Sequence, residues 1–358
     1  MIHVKINKAF SNRSGALSAF RSVMCVFFFF TLSLCSITGC HADNMSPHLE
    51  SATEEQADNA SSIRRIGVSF PTTRLAYRRT MLELVQAAYP AGQASKTGVE
   101  LVILDADGSQ KQQNQDILDL TDMGVDGIVL IPGTMEGCIF AVEYANQNGI
   151  PVITVDNRIQ TTASARAISF VGSNHSEMGT AAAGLFLSQL EIQKGEKETW
   201  NVIHMTGIPD TSGTLDRGEA ITDVLESSPR IHLLGSYDGE FTAEYAKSVM
   251  EDCLNIFDSI DGVICQNDSM AEGCCEALRE AGLAGSMVIV GIDGQPQTLK
   301  LIADGELSGT VFQKPTMILD GVSRLLDYLN GIPVEELYYE ETYPVSRENV
   351  SSYLQERK

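Results

Sequence analysis

Apolar residues fall along this chain in two periods. Short uninterrupted apolar runs alternate with longer stretches where apolar positions recur at i, i+3, i+4 and i+7. The first kind reads as strands buried on both faces, the second as amphipathic helices packed against them. Arg65–Phe70, Leu101–Leu104, Ile128–Ile131 and Val152–Val155 are the strands of a first series. The helices between them are marked by Met81, Leu84, Val85 and Ala88, by the polar stretch Gln110–Met123, and by Cys138, Ala141, Val142 and Ala145. The alternation then restarts. Helices Met178–Leu190, Leu215–Leu225, Glu244–Ile256 and Met270–Ala281 precede strands Asn201–Met205, His232–Gly235, Gly262–Cys265 and Met287–Ile292 in turn. Strand Gly309–Phe312 and helix Thr316–Leu329 come last, and Tyr338–Leu354 reads as an extended tail. Two series of similar size predict an α/β chain of two Rossmann-like lobes with parallel sheets, not one long sheet.

One stretch shows what the strands are for. In Gly149–Asn157 a Gly and a Pro end a helix, a short apolar strand follows, and Asp156 stands at its carboxyl end. The same order of apolar strand and then polar side chain recurs at Gly262–Asp268, Met287–Asp293 and Gly309–Gln313. In open α/β sheets, ligands bind at the carboxyl ends of the strands. These strand ends therefore predict a cleft lined by polar groups. Asp156 and Asp293 either bind there or merely cap the element that follows.

Composition changes the picture at the N-terminus. Residues 1–21 carry Lys5, Lys8, Arg13 and Arg21 and no acid, and Val23–Ile37 is an apolar run. That is the layout of a secretory signal, and the run is short for a membrane-spanning helix. Ile37-Thr38-Gly39-Cys40 resembles a bacterial lipobox, which implies cleavage before Cys40 and lipidation of its sulfur. Residues 1–39 are then a lipoprotein signal peptide, and 40–62, rich in Ser, Ala, Asn, Asp, Glu and Gln, a disordered tether. A plain signal peptide or an uncleaved anchor that happens to end in Cys is the alternative. The formal net charge is −22, and losing the four bases of the signal would make it −22 − 4 = −26. So acidic a chain, without a basic patch beyond the signal, argues against a nucleic-acid partner. Of the eight Cys, Cys25 and Cys35 leave with the signal and Cys40 is the lipidation site. The remaining five, Cys138, Cys253, Cys265, Cys274 and Cys275, show no metal-ligand spacing and read as small buried hydrophobes.

No phosphate-binding loop, nucleophile elbow, dinucleotide fingerprint or HExxH motif is present. His175, His204 and His232 are scattered. The reading is a protein that is not an enzyme and needs no cofactor or metal.

Several segments together resemble the type I periplasmic sugar-binding proteins of the ribose and galactose group. They are Val68–Thr73, Leu104–Gly108, Gly149–Asp156, Gly207 with Arg217-Gly218, Gln266–Ala271 and Val290–Gly294. The similarity runs from about Arg65 to Val350, and its strength lies in the order and spacing of these segments. It implies two α/β lobes joined by a three-segment hinge: residues 63–172 plus 314–340 form the N-terminal lobe, 173–313 plus 341–358 the C-terminal lobe. The hinges fall near Gly172-Ser173, Gln313-Lys314 and Glu340-Glu341.

The resemblance also implies a ligand set. Asp156 matches a carboxylate that accepts sugar hydroxyls, Arg217 an arginine that donates to sugar oxygens, and Phe241 an aromatic packed on the sugar's apolar face. Asn267, Asp293 and Gln313 match polar contacts of the second lobe. Arg217 could otherwise be a surface ion pair and Phe241 ordinary core; Asn267 is expected to bind while Asp268 caps the following helix. Tyr77-Arg78 resembles an aromatic-Arg pair of some branches. Asn157, followed by Arg158, stands where ribose-type relatives have Arg, and Ile131 stands where they have Asn. The ligand is therefore expected to be held differently from ribose.

The implied protein is a monomeric, lipid-anchored, extracytoplasmic solute-binding lipoprotein that delivers a sugar to an ABC transporter permease. The alternative is a sensor protein of the same fold, feeding a chemoreceptor or histidine kinase. A sugar-responsive repressor would need a helix-turn-helix before Arg65, where residues 1–62 offer a signal and a polar linker.

Overall fold

The computed structural model describes residues 63–355. The signal peptide, Cys40 and the tether lie outside them. The chain begins with β1 (Arg64–Phe70), α1 (Ala76–Ala88), α2 (Ala94–Thr97), β2 (Val99–Asp105), α3 (Gln110–Asp122), β3 (Gly127–Leu130), α4 (Ile139–Gln147), β4 (Val152–Val155) and β5 (Ser169–Ser173). It continues with α5 (His175–Lys194), β6 (Trp200–Thr206), α6 (Ser212–Ser227), β7 (Ile231–Asp238), α7 (Ala243–Ile256), β8 (Gly262–Cys265), α8 (Asp268–Glu280), β9 (Val288–Asp293), α9 (Pro296–Asp304) and β10 (Gly309–Phe312). Last come α10 (Met317–Leu329), β11 (Leu337–Glu340), β12 (Tyr343–Ser346) and α11 (Val350–Gln355).

The strands form two six-stranded sheets, ordered β11-β5-β4-β3-β1-β2 and β12-β10-β9-β8-β6-β7. All pairs are parallel except β10 with β12. The fold is thus α/β, with two parallel-sheet lobes of the same winding. The uninterrupted apolar runs are fully buried because helices cover both faces of each sheet: β3 and β4 in the first lobe and β8 and β9 in the second show no exposed residue. Helix α10, carrying Ile318, Val322 and Leu325 on its inner face, returns to pack under β3, β4 and β5.

The chain passes between the sheets three times. β5 ends at Ser173 in the first sheet, and α5 starts at His175 against β9 and β10 of the second. β10 ends at Phe312 before α10 docks on the first sheet, and β11 and β12 lie in different sheets although two residues separate them. Besides the one-turn helix α2, three parts of the chain differ from the sequence reading. β5 was not foreseen as a strand, since only Phe170 and Val171 are large and apolar among Ser, Gly and Ser; tertiary pairing with β4 and β11 makes it one. Helix α9, whose Pro296 sits in the first turn, was not foreseen. The tail is extended only through β12 and closes with the short helix α11. All five described cysteines are free and buried.

Candidate functional site

Both sheets point the carboxyl ends of their strands at one narrow cavity of about 40 Å3. Its wall includes Tyr77, Arg78, Asp156, Arg217, Phe241, Asn267, Asp293 and Gln313, together with Leu75, Asn157, His175 and Gly213. The first eight are the residues the sequence singled out. Each lies at or after the carboxyl end of a strand: Tyr77 and Arg78 open α1 after β1, Asp156 follows β4, Arg217 lies in the second turn of α6 after β6, and Phe241 follows β7. Asn267, Asp293 and Gln313 close β8, β9 and β10.

Three of these residues hold backbone conformations that L side chains rarely adopt. Asp156 has φ 65°, Phe241 φ 58° and Asp293 φ 135°. Such conformations cost about 1–3 kcal/mol each and persist where surrounding structure enforces them, characteristically at ligand sites. The turn at Asp156 swings its carboxylate off the sheet and into the cavity. The Phe241 ring lies so close to Gly207 that a Cβ there would stand 2.0 Å from it, so glycine is required.

The polar groups form two sets. The Asp293 carboxylate accepts from Gln313 Nε2 (2.7 Å) and Gln295 Nε2 (3.3 Å) and lies 4.0 Å from Arg217. Arg217 is buried, not a surface ion pair; it donates to the Gln266 carbonyl (2.7 Å) and to His175 Nδ1 (3.2 Å). On the opposite wall the Asp156 carboxylate accepts from Asn157 Nδ2 (3.3 Å). The capping assignment at α8 is reversed relative to the sequence reading. Asn267 is the N-cap, accepting from Met270 N (2.9 Å) and donating to the Phe241 carbonyl (3.1 Å). Asp268 instead accepts from Thr310 Oγ1 (2.6 Å) and Gln295 N (2.7 Å), tying together the ends of β8, β9 and β10.

Other groups in the wall are left without protein partners. The Tyr77 hydroxyl and Gln313 Oε1 are buried and make no hydrogen bond. Among the described residues no group hydrogen-bonds or ion-pairs with the buried Arg78 guanidinium. Buried polar groups of this kind cost stability unless a ligand satisfies them. The wall thus offers free donors and a free acceptor beside two carboxylates and an aromatic face, which is the equipment for a neutral polyol.

Burial raises the Asp156 carboxyl above its ordinary range, while the Arg78 and Arg217 charges pull it back. Burial pushes Asp293 up to about 7, against the pull of Arg217 and Gln313. Burial, joined by the Arg217 charge, drives His175 down to about 3, so it is neutral. A ligand hydroxyl would donate to the ionised form of Asp293. Below about pH 7 in the free protein the protonated carboxyl must first lose its proton. Affinity should therefore be level above about pH 8 and fall by up to ~10-fold per pH unit below 7, the limit for one coupled proton. Stability of the sugar-free protein should run the other way on this group, declining as pH rises from its ordinary 3.8 through about 7. Titration calorimetry across that range checks both signs; an affinity flat from pH 5 to 8 would separate Asp293 from the ligand.

Of the four wall residues that sequence reasoning did not select, Leu75, Asn157, His175 and Gly213, two carry polar side chains, His175 and Asn157. His175 follows β5, the strand whose pattern was weak, so its place at a strand end was not visible. Asn157 was noted only as a departure; its Oδ1 accepts from Ser212 Oγ (3.1 Å) and Gly213 N (3.0 Å) across the cleft.

Two winding-matched lobes with a polar cavity between their strand ends define a ligand clamp. Residues 66–331 match the periplasmic binding protein domain. The ribose import binding protein RbsB of Escherichia coli is 32% identical over 247 residues, covering 69% of this chain and 80% of that protein. The arabinose transporter's periplasmic binding protein from Shewanella sp. ANA-3, bound to L-arabinofuranose, superposes with a TM-score of 0.75 at 25% identity, covering 82% of this chain and 95% of that one. The fructose-binding periplasmic domain of a hybrid two-component system superposes with a TM-score of 0.72 at 25% identity, covering 82% and 94%. The chain belongs to the periplasmic binding protein family and to its type I, sugar-binding group.

Proposed function

We propose that this protein is an extracytoplasmic solute-binding protein that captures a sugar between its two lobes and delivers it to the permease of an ABC importer. The observation that carries this reading is the convergence of side chains from both sheets on one cavity, with the Tyr77 hydroxyl and Gln313 Oε1 buried and still holding unused hydrogen-bonding capacity. No covalent chemistry is required of it. Asp156 and Asp293 accept sugar hydroxyls, Arg78, Arg217 and Tyr77 donate, Asn267 and Gln313 complete the polar set, and Phe241 covers C–H surface. Asn157 and Ile131 set the arrangement apart from that of ribose-type relatives. The test is a thermal-shift panel of D-ribose, D-allose, L-arabinose, D-fructose and myo-inositol. A sugar present at a hundred times its Kd stabilises the native state by about 2.7 kcal/mol, which moves the melting midpoint by several degrees. A panel without any shift would count against the reading.

The fructose-binding domain of the two-component system favours a second reading, a sensor that presents its sugar to a kinase. Copurification of a permease or of a kinase with the sugar-loaded protein separates the two.

The protein is proposed to act as a monomer held to the membrane by lipid on Cys40, with residues 40–62 as spacer. Two acyl chains give stable attachment where one is marginal. Cys40→Ser should therefore move the protein from the detergent phase to the aqueous phase on partitioning and leave its melting curve unchanged. A Cys40→Ser protein that still enters detergent would remove the lipoprotein reading.

A further inference from the structure

His175 opens α5, directly after the crossing from β5, with its ring against Gly213 at the start of α6. Its Nε2 lies 2.7 Å from the Asp156 carbonyl, and its Nδ1 accepts from Arg217 Nε at 3.2 Å. The two neighbours dictate the ring's chemistry. A guanidinium only donates and a carbonyl only accepts, so the group between them must accept on one side and donate on the other. A neutral imidazole with its proton on Nε2 does both. The Asp156 carbonyl it holds belongs to the left-handed turn that aims the Asp156 carboxylate, and Arg217 reaches from there to the Gln266 carbonyl and toward Asp293. One chain of contacts therefore joins the carboxylate-bearing ends of β4 and β9 through a single ring.

We propose that His175 is a positioning residue that fixes Arg217 in its ligand-facing direction and ties that direction to the backbone of Asp156 on the opposite wall. The inference deepens the sugar-clamp reading and rests on it for the affinity part of its test. His175 does not titrate in the working range and is no pH switch. It sets geometry before the ligand arrives.

The first arm of the test needs no sugar and no variant. In the ligand-free wild type, the nitrogen-15 spectrum of His175 should show one neutral tautomer, protonated at Nε2, from about pH 5 to about pH 8, with coupling from Arg217 Nε–H to His175 Nδ1. Protonation at Nδ1, or rapid exchange between tautomers, would overturn the proposal. The second arm is a double-mutant cycle with His175→Leu and Arg217→Met, read as affinity for whichever panel sugar gives the largest thermal shift. His175→Leu alone should weaken binding about tenfold or more; in the Arg217→Met background the further loss should shrink to about threefold or less, because residues acting as a unit are non-additive. His175→Gln, whose amide again offers an acceptor and a donor, should recover part of the loss. Losses that simply multiply would make His175 a structural residue. If no panel sugar binds the wild type, the sugar reading falls while the tautomer and the coupling still decide the placement of Arg217.

Discussion

Asp293→Ala is expected to weaken sugar binding about ten- to a hundredfold, since a hydrogen bond to a charged group is worth ~1.5–3 kcal/mol and each ~1.4 kcal/mol is a decade in Kd. The same holds for Asp156→Ala on the other wall. Neither change should unfold the protein, because the sheets are built from the runs before these residues and not from their carboxylates. At position 293 two effects oppose each other. Alanine removes a carboxylate whose ionisation burial disfavours, but it leaves Arg217 without its partner at 4.0 Å and the Gln313 and Gln295 amides without an acceptor. The backbone supplies a control. At φ 135° alanine keeps the strain that aspartate carried, whereas glycine does not. Asp293→Gly should therefore melt above Asp293→Ala while losing the same affinity. Calorimetric titration and melting curves on the three proteins make the comparison. Unchanged affinity in both the Asp156 and Asp293 variants would move the site elsewhere.

That contrast also explains what the sequence revealed of the fold and what it hid. Strands buried on both faces are written as uninterrupted apolar runs, so β3, β4, β8 and β9 could be read directly, and their carboxyl ends pointed to Asp156 and Asp293. β5 could not be read this way: Ser169, Gly172 and Ser173 are small enough to be buried between neighbours without being apolar. Missing that strand hid His175, two residues past its end. Arg217 shows a different limit. Its surroundings in sequence are polar, and the depth of its burial comes from Met178, Gln266 and Asp293, which are distant along the chain. Tyr77, Arg78 and Phe241 came from family resemblance alone, since nothing in local periodicity separates a ligand-facing aromatic from a core one. The capping of α8 by Asn267 and not Asp268 is of the same kind. Both residue types favour N-caps, and the choice is made by Thr310 and Gln295, which claim the Asp268 carboxylate from neighbouring strand ends.

Sugar is expected to shrink the protein. The walls already touch without it: Met135 N donates to the Asp210 carbonyl (2.9 Å), Arg158 N to Ser212 Oγ (2.9 Å), and the Arg158 guanidinium pairs with Asp216. With the bonds from α6 to Asn157, these join the segments after β3 and β4 to the β6–α6 loop and the first turns of α6, and they exist only while the cleft is closed. Their sum is small. A net hydrogen bond contributes about 0.5–1.5 kcal/mol and a half-exposed ion pair about 0–1. Against them stand the unsatisfied groups of the closed cavity, Tyr77, Arg78 and Gln313, which opening would hydrate. A gap of a few kcal/mol leaves both forms populated, and a ligand shifts the balance only by its differential affinity for the two. A sugar bonded to both walls has that differential. Small-angle scattering should thus give a smaller radius of gyration with saturating sugar than without it, the lobes turning about the three crossings at Ser173, Gln313 and Glu340. Asp293→Ala, saturated with the same sugar, should close less completely, since one wall then holds the ligand more weakly. Arg158→Ala, which lines no part of the cavity, should instead open the sugar-free protein further and still close fully when the sugar is bound. A sugar that binds tightly and leaves the scattering curve unchanged would rule out the clamp and favour a rigid pocket within one lobe.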